Sequence, residues 1–147
     1  MPKLLLCVLF GAAALAWAPA RAAEVEIIEP WVRATVAGQS VTAAYLSIRS
    51  AVEGALVAIV SPVADKAEIH RTEVVDGAAQ MRRVNELKFP KGGSVALSVG
   101  GDHVMLFGLK KALVVGETVP LKLIFKLQHG MRKSFEVKAT VRALDTR

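Results

Sequence analysis

The sequence predicts an all-β domain, an antiparallel β-sandwich or Greek-key barrel of about eight or nine short strands. From Val25 onward, apolar and polar residues alternate with a period of two, and helical periodicity never persists for three turns. Turn signals separate the alternating segments at intervals of about 8 to 12 residues. No linker rich in Ser, Pro or Gly divides the chain, so we expect one β-domain over residues 24–147.

The individual strands follow from the alternation, taken in chain order. The clearest segments are Tyr45–Ile48, Val95–Val99, Leu121–Phe125 and Phe135–Val141. Residues that favour turns lie between these and weaker segments, at Ser61–Pro62, Asp76–Gly77, Gly92–Gly93, Gly100–Asp102, Gly116 and His129–Gly130.

The first 23 residues have a different composition and are interpreted as a cleaved signal peptide. Lys3 gives a positive start, the fourteen residues Leu4–Trp17 carry no charge, and Ala20–Ala22 fits the small-x-small pattern of a cleavage site. Fourteen residues are too few for a membrane-spanning helix of about 20. We therefore expect an exported, periplasmic protein without stable membrane insertion after cleavage.

The single cysteine, Cys7, lies inside this leader. It interrupts the apolar run rather than following it, so we do not expect a lipid anchor there. The mature chain would contain no cysteine, which excludes disulfide scaffolds, cysteine nucleophiles, thiolate metal sites and blue-copper centres. Removing Lys3 and Arg21 with the leader lowers the formal net charge from +6 to +4. The basic residues are scattered, so we expect no nucleic-acid partner.

Local signatures of catalysis are absent from the sequence. It contains no G-x-S-x-G elbow, and the pairs Gly92–Gly93 and Gly100–Gly101 are typical of hairpin turns rather than of phosphate-binding loops. We therefore expect a protein that is not an enzyme.

The distribution of histidine and methionine is the most informative feature. The mature chain has three of each, and four of these six residues have the spacing His-x10-Met-x21-His-x-Met: His70, Met81, His103 and Met105. A single Met in a strand is usually core filler and a lone His is usually solvated, so only the set is informative. His103 and Met105 are two residues apart and would leave one face of a strand together.

The turn signal at Asp76–Gly77 decides whether His70 and Met81 can meet. A two-residue loop there pairs Thr72 with Met81 and makes His70 the diagonal neighbour of Met81, at about 7 to 8 Å. A loop shifted to Val75–Asp76 places His70 and Met81 directly opposite each other, whereas a three-residue loop separates them onto different faces.

The ligand chemistry of these four residues favours copper in its Cu(I) state. Thioether sulfur is soft and neutral, and it discriminates against hard ions such as Mg²⁺. Two imidazoles add stronger neutral ligands, and zinc prefers thiolate, imidazole and carboxylate. The sequence therefore predicts a Cu(I) site at His70, Met81, His103 and Met105.

A second pair, His129 and Met131, repeats the His-x-Met spacing around Gly130. The pair lies at a predicted turn, where side chains need not converge. Two interpretations stay open, a second and weaker copper site or an exposed turn.

The spacing of the four residues and the segments around it resemble the PCu(A)C family of periplasmic copper chaperones from about Pro30 to Val141. The supporting segments are Trp31–Thr35, Ala44–Leu46, Ser61–Pro62 and Val104–Lys110. The resemblance implies a cupredoxin-like β-sandwich with His70, Met81, His103 and Met105 as copper ligands. It also implies delivery of Cu(I) to the copper-bearing subunit of cytochrome c oxidase for assembly of its binuclear centre, alongside a Sco-type protein.

Two other functions compete with delivery. The same site could serve periplasmic copper storage or resistance. Alternatively, the chain could be an Ig-like structural or interaction module in which the His and Met residues are incidental. The mature chain has only six aromatic residues, mostly inside predicted strands, which favours a role in the core over an adhesive surface.

Overall fold

The computed structural model describes residues 24–144, so the predicted leader and Cys7 lie outside the described residues. The described chain forms ten strands: β1 Val25–Arg33, β2 Val41–Ser50, β3 Gly54–Val60, β4 Ala64–Val75, β5 Ala78–Val84, β6 Leu87–Phe89, β7 Ser94–Leu97, β8 His103–Leu109, β9 Thr118–Leu127 and β10 Arg132–Arg142. A short 3-10 turn, Gln128–Gly130, connects β9 to β10. The predicted all-β class is confirmed, with ten strands where about eight or nine were expected.

The strands form one continuous sheet in the order β5-β4-β8-β2-β1-β10-β9-β3-β6, with β7 paired to β2. All pairs are antiparallel except β1 with β10, which run parallel. The sheet is therefore mixed rather than wholly antiparallel as predicted. A parallel pair cannot be made by a hairpin, and here the whole domain lies between the two partners.

The sheet curls so that β3 also contacts β4, and it encloses one hydrophobic core. Alternation is clearest in β9, where every second residue from Val119 to Leu127 is buried. Phe125 is fully buried and packs edge to face against Phe89 and Phe135. Burial of these side chains removes apolar surface from water and stabilises the domain by about 25 cal/mol per Å².

A β-bulge in β1 changes which side chains face outward. The register with β2 shifts between Ile28 and Trp31, and Glu29 there has a φ of 46°. Because one extra residue reverses the alternation, Val32 enters the core while Trp31 faces outward opposite Tyr45. Trp31 is thereby placed on the same outer face as the predicted metal ligands.

Over residues 24–144 there is no helix long and apolar enough to cross a membrane.

Candidate metal centre

The β4–β5 hairpin turns through Asp76 and Gly77, whose φ angles are 51° and 78°. Two successive positive φ angles define a two-residue type I′ turn, which glycine and aspartate tolerate. The register pairs Thr72 with Met81 and makes His70 the diagonal neighbour of Met81. The two-residue loop at this position is thus confirmed, and the shifted and three-residue alternatives do not occur.

Strand β8 lies along the other edge of β4 and brings in the remaining two predicted ligands. His103 pairs directly with His70, and their ring centroids are 6.0 Å apart. Met105 pairs with Glu68, one step further along the same face. Val104, between the two β8 residues, is fully buried in the core. The fold therefore presents all four predicted side chains on one outer face of three adjacent strands.

A cavity of about 290 Å³ lies on this face, and Met81, His103 and Met105 line it. His103 is 4% exposed, whereas Met81 is 64% exposed at the rim. His70 is not part of the lining, and its Nε2 is hydrogen bonded to Glu68. The structure thus brings three of the four residues to one cavity and holds the fourth beside it.

The two imidazole rings make their hydrogen bonds through different ring nitrogens. His103 Nδ1 lies 2.9 Å from the carbonyl oxygen of Gly101, which only accepts, so Nδ1 carries the proton and Nε2 keeps a free lone pair. His70 Nε2 lies 2.9 Å from Glu68 Oε2, so in the neutral ring Nε2 donates and Nδ1 keeps the lone pair. Partners of this kind commonly fix the tautomer of metal-binding histidines.

The sequence analysis missed Glu68, the carboxylate that accepts the hydrogen bond from His70. Its side chain is only 11% exposed. The hydrogen bond from His70, and then that from Lys66, hold the pKa of its carboxyl below the usual value, so it is ionised at neutral pH. The signal available in the sequence was its position two residues before His70, which puts both side chains on one face of a strand.

An aromatic row covers His103 on its other side. The Tyr45 ring centroid lies 6.5 Å from that of His103, and the Trp31 centroid lies 4.4 Å from that of Tyr45. Burial raises the pKa of the Tyr45 hydroxyl, while the positive charge of Arg33 opposes that change. The row belongs to three neighbouring strands, and the β1 bulge that places Trp31 in it left no signal in the alternation pattern.

The second predicted pair lies apart from this cavity. His129 is in the turn between β9 and β10 with a φ of 59°, and Met131 follows it with 47% exposure. Neither residue lines the cavity formed by Met81, His103 and Met105.

The donor set suits a soft, monovalent cation. Two imidazoles and two thioethers are all neutral ligands, and thioethers favour Cu(I) over hard ions. In the part of the chain that the structure describes, no group of three or more His, Cys, Asp or Glu side chains is placed to hold a metal ion. The ionised Glu68 adds one negative charge next to the cluster.

Fold and side chains together define an all-β domain with a histidine and methionine cluster on the outer face of its sheet. A family model described as "Putative lipoprotein LpqE-like" matches residues 25–141. The chain belongs to this LpqE-like family. A curated relative named "Putative lipoprotein Lxx21020", from Leifsonia xyli subsp. xyli, is 31% identical over 104 residues, which cover 69% of this chain. The chain spans only about 61% of the length of that relative.

Solved structures confirm the predicted fold class and the resemblance to PCu(A)C domains. The solution structure of apo-DR1885 from Deinococcus radiodurans is 34% identical with a TM-score of 0.61, covering 97% of this chain and 94% of that chain. The CuI-DR1885 structure from the same organism is 35% identical with a TM-score of 0.61, covering 80% of this chain and 77% of that one. The copper-bound PCuAC domain from PmoF2 shares the fold with a TM-score of 0.67 at 21% identity, covering 82% and 94% of the two chains.

Proposed function

We propose that this protein is a non-enzymatic Cu(I) carrier that binds one copper ion through His70, Met81, His103 and Met105. The observation that carries the proposal is the cross-strand arrangement of these residues on β5, β4 and β8, with three of them lining one cavity. The 34% identical relative whose copper form is described as CuI-DR1885 supports it. Neutral soft ligands hold Cu(I) without thiolate, so the ion can be passed on to a thiolate-rich acceptor.

The decisive experiment is an anaerobic Cu(I) titration of residues 24–147 against a chromophoric Cu(I) chelator, with a parallel zinc titration. We expect one tight Cu(I) per chain and weak zinc binding. The double variant Met81→Ala, Met105→Ala should lose at least about 100-fold in Cu(I) affinity, because it removes two direct ligands. Met131→Ala is the matched control, since it removes an exposed methionine outside the cavity. Absence of competition between the protein and the chelator would refute the proposal and favour a structural module.

We further propose that the protein works in the periplasm and delivers copper to the copper-bearing subunit of cytochrome c oxidase, alongside a Sco-type protein. The signal-peptide pattern of residues 1–23 and the lipoprotein names of the relatives support export. A deletion strain should lose oxidase activity under copper limitation and regain it with added copper. Normal oxidase activity combined with copper sensitivity would instead indicate storage or resistance.

A further inference from the structure

Strand β5 forms one edge of the sheet, with no strand on its outer side among residues 24–144. Six of its seven residues are exposed, and the last is partly buried. An edge strand presents unpaired backbone N–H and C=O groups that can pair with another chain. The edge next to the candidate copper site is therefore open to strand addition.

The hairpin geometry determines which backbone groups of β5 point outward. In a two-residue type I′ hairpin, the residues that flank the loop form a hydrogen-bonded pair, here Val75 with Ala78, and bonded and non-bonded pairs then alternate. Thr72 and Met81 fall in a non-bonded pair. The N–H and C=O groups of Met81, and of its alternate neighbours Ala79 and Arg83, therefore point away from β4 toward the open edge.

Met81 thus combines two properties at one position. Its side chain lies at the rim of the cavity, and its backbone lies at the free edge. A strand added there in antiparallel register would place one residue directly opposite Met81, with the two Cα atoms about 5.5 Å apart. The side chain of that residue would face the candidate copper ligands.

We propose that the β5 edge binds an extended segment of the copper-accepting partner, which presents a cysteine or methionine sulfur opposite Met81. This inference rests on the proposed Cu(I) function and deepens it. Transfer is then a ligand exchange in which the bond from copper to the Met81 sulfur breaks as the bond to the incoming sulfur forms. Copper stays Cu(I) throughout, and a cysteine thiol releases its proton to solvent.

The charge of β5 favours an acidic partner segment. Arg82 and Arg83 are exposed, and the strand contains no acidic residue. Arg82 is engaged with Glu73 in two short hydrogen bonds, whereas Arg83 approaches Glu68 only to 3.6 Å. Pairing with a second copy of β5 would bring together two more arginines, so an acidic segment from another protein suits the edge better than a copy of this chain.

The test uses the substitution Ala79→Pro in the Cu(I)-loaded protein. Proline removes the outward N–H of residue 79 but no hydrogen bond to β4, and Ala79→Thr is the matched control that keeps the N–H. The acceptor is a seven-residue peptide with blocked termini. Its central residue is Cys, two positions are Glu, and the remaining positions alternate between Thr and Val. Two further peptides carry an N-methyl group, one on the Cys and one on the adjacent residue, whose N–H would face away from β5.

We expect both variants to match the wild type in the chelator titration. The ultraviolet absorbance of the Cu(I)–thiolate bond measures the rate of transfer to the peptide. This rate should fall at least 10-fold for Ala79→Pro and for the N-methyl-Cys peptide. It should not fall for Ala79→Thr or for the peptide methylated at the adjacent residue. Equal rates in all arms, with an intact Cu(I) titration, would overturn this inference alone. A failed titration of the wild type would instead refute the proposed function. A wild-type dimer that Ala79→Pro converts to a monomer in sedimentation would assign the edge to a second copy.

Discussion

His70 and His103 lie directly opposite each other on β4 and β8, with ring centroids 6.0 Å apart. They are held by opposite ring nitrogens, His70 through Nε2 to Glu68 and His103 through Nδ1 to the Gly101 carbonyl. The nitrogens left free for metal binding are therefore Nδ1 on one ring and Nε2 on the other.

The first prediction concerns Glu68 as the residue that orients His70. The substitution Glu68→Ala should remove the preference of His70 for the Nε2–H tautomer and weaken Cu(I) binding on the order of 10-fold, as outer-sphere substitutions commonly do. ¹⁵N NMR of the imidazole rings reports the tautomers, and chelator competition reports the affinity. Glu73→Ala is the control, because it breaks the ion pair with Arg82 without touching a candidate ligand. An unchanged His70 tautomer in Glu68→Ala would contradict this role.

The second prediction concerns methionine oxidation. Met81 is 64% exposed and Met105 only partly exposed, so peroxide should convert Met81 to the sulfoxide first. Loss of the soft donor should weaken Cu(I) binding while circular dichroism stays native. Peptide mass spectrometry assigns the oxidised residue. Met131→Leu is the control, and after the same peroxide treatment it should lose Cu(I) affinity to the same extent as the wild type. Full copper binding after stoichiometric oxidation at Met81 would show that its sulfur is not a ligand.

The third prediction concerns acid stability. Hydrogen bonds from His70, Arg82 and Lys111 hold the pKa values of Glu68, Glu73 and Glu117 below the usual range in the folded state. A lowered folded-state pKa stabilises the fold above the usual value of about 4.3, and that contribution is lost as the pH falls through the lowered pKa. The free energy of unfolding of the metal-free protein, measured in urea, should therefore decrease as the pH is lowered from about 6 to 3.

The arginine partner of Glu73 provides the control for this effect. Arg82→Met removes the largest cause of the lowered Glu73 pKa, and it should make the acid dependence less steep. A slope identical to that of the wild type would mean that this ion pair is too exposed to matter.

The fourth prediction compares two glycines with positive φ. A Cβ on Gly108, with a φ of 66°, would come within 2.4 Å of the Asp65 carboxylate, whereas a Cβ on Gly116, with a φ of 92°, meets nothing within 4 Å. Gly116→Ala introduces backbone strain alone and should lower the free energy of unfolding by about 1 kcal/mol. Gly108→Ala must also displace Asp65, so it should lower the free energy of unfolding by about 2 to 3 kcal/mol in total. Urea unfolding measures both. Equal losses would show that the Asp65 side chain moves aside freely.

The fifth prediction concerns the pair in the β9–β10 turn. The variant His129→Ala, Met131→Ala should keep the tight Cu(I) equivalent, because neither side chain lines the cavity. Any copper that binds at this turn should bind with lower affinity, and this weaker binding should be lost only in this variant. Loss of the tight equivalent here would move the proposed site.

The sequence predicted those parts of the fold and site that depend on local patterns. Alternation identified β9 because each of its inward positions is apolar, and the Asp76–Gly77 pair set the register that brings Met81 next to His70. Such features need only neighbouring residues and a turn whose φ angles restrict the residues allowed.

Structural features that depend on residues far apart in the sequence were not predicted. The parallel β1–β10 pair joins strands separated by the whole domain, and pairing at that distance leaves no periodic signal. The bulge at Glu29 reverses the faces of β1 by one extra residue, which a two-residue period cannot reveal. Glu68 was missed because a charged residue in a strand normally faces solvent, although its partners His70 and Lys66 lie on its own strand and only Arg83 comes from β5.

The aromatic row beside His103 gives the domain an optical reporter of its own. Trp31 is the only tryptophan in residues 24–144. Its ring centroid lies 4.4 Å from that of Tyr45, whose centroid in turn lies 6.5 Å from that of His103. Its fluorescence therefore arises two rings away from the candidate copper site. Events at His103 can accordingly be followed in unlabelled protein, and excitation above the tyrosine absorption band separates the Trp31 emission from that of Tyr45.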